Sequence, residues 1–205
     1  MWYTLTSIFP YVIAYTIPLL VTSLGGLYSE RSGVVNLGLE GLMLVGSFAA
    51  AITIHLLEGL IPSGLLVPIG LLAAVIMGIL YSLLHAFASI TLKADQIISG
   101  TAINMLAAAL TVYTARAILG SGNVRVNSII RKDIPGLANI PVLGPLFFSQ
   151  SYWSTWLVLA ILVFSWFLLY KTSFGLRLRA CGEHPSAVAS AGVNVHKMRY
   201  FAVCA

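Results

Sequence analysis

Five stretches of this chain are each apolar over a length that can cross a bilayer, and this restricts its fold more than any motif does. A helix needs about 20 predominantly apolar residues to traverse the hydrocarbon core. The segments Thr6–Tyr28, Leu39–Leu57, Leu65–Leu92, Ile97–Leu119 and Trp153–Tyr170 meet that requirement. A sixth apolar segment opens near Tyr200 and is cut after Ala205, short of a crossing. The expectation is an all-α polytopic membrane bundle with five complete spans and the start of a sixth. Residues 1–205 then form a single transmembrane domain truncated at its C-terminal end. The first seven residues carry no Lys or Arg and no small-residue cleavage site follows, so the opening segment reads as a retained span and not a signal peptide.

Composition agrees: 59% of residues are hydrophobic and 8% charged, against roughly 45–50% and 25% in soluble domains. The net charge of +5 does not point to nucleic acid, because the cations are scattered among inter-helical loops and form no cluster with stacking aromatics. They sort by side instead. Arg31, Lys93, Lys171, Arg177, Arg179, Lys197 and Arg199 fall on one side, and Arg116, Arg125, Arg131 and Lys132 on the other. The positive-inside rule makes the first side cytoplasmic and puts the N-terminus outside. Trp2, Tyr3, Tyr152, Trp153 and Tyr170, near span ends, read as interfacial anchors. The Gly- and Pro-containing connection from Gly120 to Ser151 argues for turns and a hairpin or interfacial element.

Two stretches depart from the apolar background. The first, TSFGLRLRACGEHPSAVASAGVNVHKMR, is polar and basic and makes residues 172–199 a cytoplasmic loop. Within it Pro185 suits a first helical position and Gly192 the position just past a helix end. PSAVASAG therefore predicts about two turns of helix, too short to persist alone and in need of a partner surface. Gly182 and Glu183 lead into this helix, and the small side chains of Ala187, Ala189 and Ala191 let a partner approach closely. The second stretch, Leu24 to Ala50, combines Gly25, Gly26, Gly33, Gly38, Gly41 and Gly46 with Glu30, Arg31, Asn36 and Glu40. Such glycine density predicts a broken or closely packed helix, tolerated at depth only where protein or a water-filled cavity satisfies the backbone.

FGLRLRACGEHPSAVASAGVNVHKMRY resembles the coupling loop of ABC-importer permeases of the sugar, nucleoside and branched-chain amino-acid type. It does so at Gly175, Arg177, Arg179, Ala180, Gly182, Glu183, Pro185, Ala187, Gly192 and Arg199. SERSGVVNLGLEG is most similar to the branch that imports nucleosides, and the likeness continues through LKADQIISGTAIN and IPGLANIPVLGPLFF, covering nearly the whole chain. The resemblance implies a multi-pass subunit of the bacterial plasma membrane that passes a small polar solute, nucleosides first. Implied partners are separate ATP-binding-cassette ATPase subunits, a second permease subunit, an extracytoplasmic solute-binding protein and the lipid bilayer. ATPase coupling would fall to Gly182, Glu183, Pro185, Ala187 and Gly192. Simple sugars or branched-chain amino acids are alternative solutes. An ion-coupled secondary transporter is the rival mechanism, although no pair of inverted halves is visible.

Asn36, Glu40 and Asn104 are the candidates for the solute path, because intramembrane polar groups usually face the bundle interior. Each also fits a structural role: the two amides could bond a neighbouring helix, Glu40 could join a hydrogen-bond network, and the glycines could serve close helix packing. Glu30 and Arg31 read as an ion pair at the membrane face, and Asp95 with Gln96 as either a helix cap or a gate. The chain offers no catalytic constellation and implies no cofactor. His55, His85, His184 and His196 lack metal-ligand spacing. Gly120-Ser121-Gly122 lacks the Gly-Lys-Ser/Thr of a phosphate loop, so ATP hydrolysis belongs to another subunit. Cys181 and Cys204 lie near the cytoplasmic loop and are not expected to pair; Cys181 reads as a small packed thiol.

Overall fold

The computed structural model describes residues 2–126, 144–148 and 152–205. Its long helices are α1 (Trp2–Arg31), α2 (Leu39–Leu57), α3 (Ser63–Ala86), α4 (Gln96–Leu119) and α5 (Trp153–Lys171), followed by α6 (Ser173–Glu183), α7 (Pro185–Ser190) and α8 (Val195–Cys204). Five of the described helices are long and apolar enough to cross a membrane, as the sequence predicts. Most of the Gly120–Ser151 connection, where the hairpin or interfacial element is expected, lies outside the described residues. Its described Gly144–Phe148 segment is a single π-helical turn.

Three of the sequence expectations need correction. The stretch after Lys171 is not a loop holding one short helix, because Ser173–Glu183 forms a further helix, α6. Gly175, Leu178 and Cys181, three residues apart, put one buried face on it. The last helix also starts at Val195 and not near Tyr200, since the Asn194 side chain accepts from the Lys197 N–H at 3.0 Å and caps it. In the glycine-rich stretch, the non-helical part is not a break inside a span. It is the whole connection between α1 and α2, residues 32–38.

The described residues within Met1–Leu24 and Ser128–Thr172 form one compact unit, and those of Gly25–Asn127 with Ser173–Ala205 form a second. In the first, Phe9 meets Phe147 edge-on at 5.1 Å between ring centroids, and Phe148 stacks on Trp156 at 5.0 Å. In the second, α2 packs against both α3 and α4, and α3 against α8. One core cluster joins Val45, Tyr81, Ile103 and Ala107; another joins Val34, Ala86, Ile90 and Val203, with Tyr200 laid against it. Glycine brings these helices together: a Cβ on Gly70 would meet Ile54 Cγ1 at 2.7 Å, and one on Gly41 would meet the Cβ of Ala107 at 3.1 Å. This is the small-residue packing typical of membrane helices.

Helix α3 closes in a π-helical turn, Phe87–Thr91, with the Leu92 N–H bonded to the Phe87 carbonyl at 3.1 Å. Lys93 then takes a left-handed conformation at φ 53°, and the Ala94 N–H returns to the Ala88 carbonyl at 3.0 Å. The left-handed residue ends the helix as in other helix caps, here with a closure one residue longer than the Schellman bond. At the next helix the carboxylate of Asp95 accepts from the N–H groups of Ile97 and Ile98 at 2.8 and 3.1 Å. Asp95 is thus the N-cap of α4, the capping alternative of the two read from sequence.

Candidate functional site

The connection between α1 and α2 carries backbone groups that no helix satisfies, and buried groups of this kind need partners. Ser32, Val34, Asn36 and Gly38 are buried in turn along it. Side chains of α3 and α4 supply much of what is missing. The Val35 N–H donates to Gln96 Oε1 at 2.7 Å, and the Val35 carbonyl accepts from His85 Nε2 at 3.3 Å. A carbonyl only accepts, so Nε2 carries the hydrogen; Nδ1 of the neutral ring can then accept from the Ser99 hydroxyl at 3.1 Å. Both main-chain groups of Val35 are therefore held from two different helices.

Asn104 completes the clamp. Its amide nitrogen donates to the Leu37 carbonyl at 2.9 Å, while its Oδ1 accepts from the Gly41 N–H at 2.7 Å. Gly41 is the third residue of α2, and Gly38 at the N-cap has no side chain to offer. The cap of α2 thus comes from α4, 63 residues further along the chain. Asn36 Oδ1 accepts from the Gly38 N–H at 3.0 Å, an Asx turn that leads the chain into α2. Gly100 lets α4 come this close, since a Cβ there would meet Leu37 Cβ at 2.8 Å and Gly38 N at 3.0 Å.

The three solute-path candidates separate in this geometry. Asn36 is buried and Asn104 half-buried, both with amide groups committed to the connection, while Glu40 is exposed in the first turn of α2. A carboxylate there is favoured by the helix dipole. His85, which sequence reading set aside with the other histidines, is a principal holder of the connection. An ionisable residue inside so apolar a span is costly, and that was the available signal. Among the described residues no group of three His, Cys, Asp or Glu side chains comes together to hold a metal.

The second group of candidates sits on α6 and α7. Gly192, at φ 81°, occupies the position just past α7, and Pro185 its first turn, as predicted. Glu183 and Ala187 are exposed and border a groove of about 480 Å³ that also touches Leu176, Arg177, Ala180 and His184. Gly182 faces elsewhere. A Cβ on it would meet the Arg31 carbonyl oxygen at 2.6 Å, so it lies against the chain's own backbone at the end of α1.

Cys181 and Cys204 are free thiols, the first fully buried. Burial pushes the Cys181 thiol up, and the nearby Arg199 charge opposes this only in part. Since the thiolate is the reactive form, maleimide should label Cys181 far more slowly than half-buried Cys204 at neutral pH. Its rate should climb only as the pH passes above the ordinary thiol range. Mass spectrometry of timed digests checks this, and equal rates at the two sites would contradict the packing of α6.

A multi-pass helical membrane protein whose first inter-helical connection is clamped by side chains, with an amphipathic helix pair outside its spans, is the class these features define. The chain belongs to the family described as branched-chain amino acid transport system / permease component, which matches residues 8–205. It is similar to the guanosine ABC transporter permease protein NupQ of Bacillus subtilis, 46% identical over 97% of this chain and 63% of that protein. It is also similar to the nucleoside ABC transporter permease protein NupC of Lactococcus lactis, 39% identical over 98% of this chain and 63% of that protein. The putative glucose ABC transporter permease protein TsgC13 of Haloferax volcanii is 34% identical over 90% and 54%. The chain thus spans about 63% of the length of the first two relatives. No solved structure gives a significant match.

Proposed function

We propose that the chain belongs to the transmembrane subunit of an ATP-binding-cassette importer for nucleosides, guanosine among them. The structural observation that carries this reading is the α6–α7 pair: two helices outside the spans, with exposed Glu183 and Ala187 bordering an open groove. A short helix presented in this way is a recurrent form of groove recognition. Cytoplasmic ATPase subunits would grip α7, and a second permease subunit and an extracytoplasmic binding protein would complete the importer. The nucleoside assignment is supported by the guanosine and nucleoside transport of the two relatives at 46% and 39% identity. Glu40, the exposed candidate, faces the solute path, while Asn36 and Asn104 hold the backbone that leads to it.

The complete permease, reconstituted with its ATPase and binding protein, should take up guanosine only when ATP is present on the ATPase side, and should prefer it to glucose or leucine. Uptake driven by an ion gradient without ATP would instead establish the secondary-transport rival. Ala187→Trp should leave the permease folded and abolish uptake. Loss of one central contact in a groove-bound helix costs on the order of 2 kcal/mol, enough to weaken ATPase association at least tenfold. Wild-type uptake in this variant would remove α7 from coupling.

A further inference from the structure

We propose that Arg199 is a positioning residue that locks α6 and α7 to the α1–α2 connection, so that movement of the partner-facing helices is delivered to the start of α2. The proposal rests on the coupling role given above to α6–α7. The guanidinium reaches two separate helix ends. Its Nε donates to the Ser32 carbonyl at 3.1 Å, just past α1, and its Nη2 reaches the Cys181 carbonyl in the last turn of α6 at 3.4 Å. Carbonyls at helix C-terminal ends have no partner within their own helix and carry the negative end of the dipole, so a cation between two of them favours both. Ser32 and Cys181 are each fully buried.

Two glycines bring the backbones together at this point. A Cβ on Gly33 would meet Gly182 Cα at 3.1 Å and Arg199 Nη2 at 3.2 Å. Gly33 moreover sits at φ 85°, a conformation that only glycine adopts without strain. The next residue after Arg199 extends the lock: the Tyr200 hydroxyl bonds that of Thr91, and Tyr200 packs against the cluster that includes Val34 of the connection. From there the connection runs without slack to α2, because Val35, Leu37 and Gly41 are held by His85, Gln96 and Asn104. A displaced α6–α7 pair therefore shifts residues 32–41, Glu40 included, together with the α3 and α4 residues that hold them. No hinge separates them. An allosteric coupling needs such a physically continuous element, and continuity is established only by measured coupling.

The test uses the assembled, reconstituted importer and reads solute moved per ATP hydrolysed. Arg199→Ala should retain the ATPase subunits and hydrolyse ATP, yet transport at least tenfold less solute per ATP. Arg199→Lys should rescue little, because an ammonium is a point charge without the planar fork that serves two carbonyls together. An unchanged ratio in both variants would overturn the proposal, as would uptake and hydrolysis falling in parallel. Should the variants not assemble, spin labels at exposed Ser186 and Val35, with the native cysteines replaced, give an independent reading in the otherwise unaltered complex. Their distance distribution should be the same with and without ATP, and a shift on ATP addition would sink the lock. Absence of ATP-dependent uptake in the unmutated complex would count against the importer reading and is a separate result.

Discussion

Replacing Asn104 with Leu should produce one of the two largest losses of folded protein among single substitutions in this chain. The substitution keeps the branched side-chain skeleton but strands the Gly41 N–H and the Leu37 carbonyl, both now bonded by the Asn104 amide. A polar group left without a partner away from water costs about 1–3 kcal/mol, so the pair should cost about 2 kcal/mol or more. Fluorescence-detected size exclusion in mild detergent should show a lower melting temperature and a smaller monodisperse peak. Glu40→Gln, at an exposed position one residue before Gly41, should leave both near wild type while reducing uptake. A stable Asn104→Leu protein with defective transport would return Asn104 to the solute path.

Gly182→Val should be equally damaging, and by a route that no partner subunit can relieve. Its Cβ alone would lie 2.6 Å from the Arg31 carbonyl oxygen and 3.1 Å from the Gly33 nitrogen, both backbone atoms that cannot swing aside. Overpacking of this kind costs about 1–3 kcal/mol, occasionally more. The permease expressed without its ATPase should already show reduced folded yield. Ala187→Trp, expressed the same way, should not, because Ala187 is exposed. The contrast separates a position that shapes the chain from one that meets a partner. Equal folded yields of Gly182→Val and wild type would refute the close approach of α6 to α1.

The spans were legible in the sequence because composition over about 20 residues decides them without tertiary help. The caps at Asp95 and Gly192 were legible for the same local reason: the groups each one satisfies or ends lie within a turn of it. Helix α6 was not. Its exposed Arg177 and glycines at 175 and 182 look like loop composition until Gly175, Leu178 and Cys181 have a surface to bury against. The roles of His85, Gln96 and Asn104 were hidden more deeply, since their main-chain partners lie 50 to 67 residues away. An amide that could contact a solute and one that bonds a neighbouring backbone look identical in sequence. Gly182 was read from sequence as a candidate for ATPase coupling, and the backbone it lies against, at Arg31 and Gly33, belongs to the same chain.

The borrowed cap of α2 bears on how the protein is made. During synthesis Gly41 leaves the ribosome 63 residues before Asn104 does, and chains grow at about 5–20 residues per second. For several seconds the first α2 turn exists without its cap, and the connection behind it lacks both Gln96 and Asn104. The connection between α1 and α2 consequently has no finished form until α4 is made. Those amides stay without their side-chain partners until α4 arrives, and only then does the connection acquire its final shape.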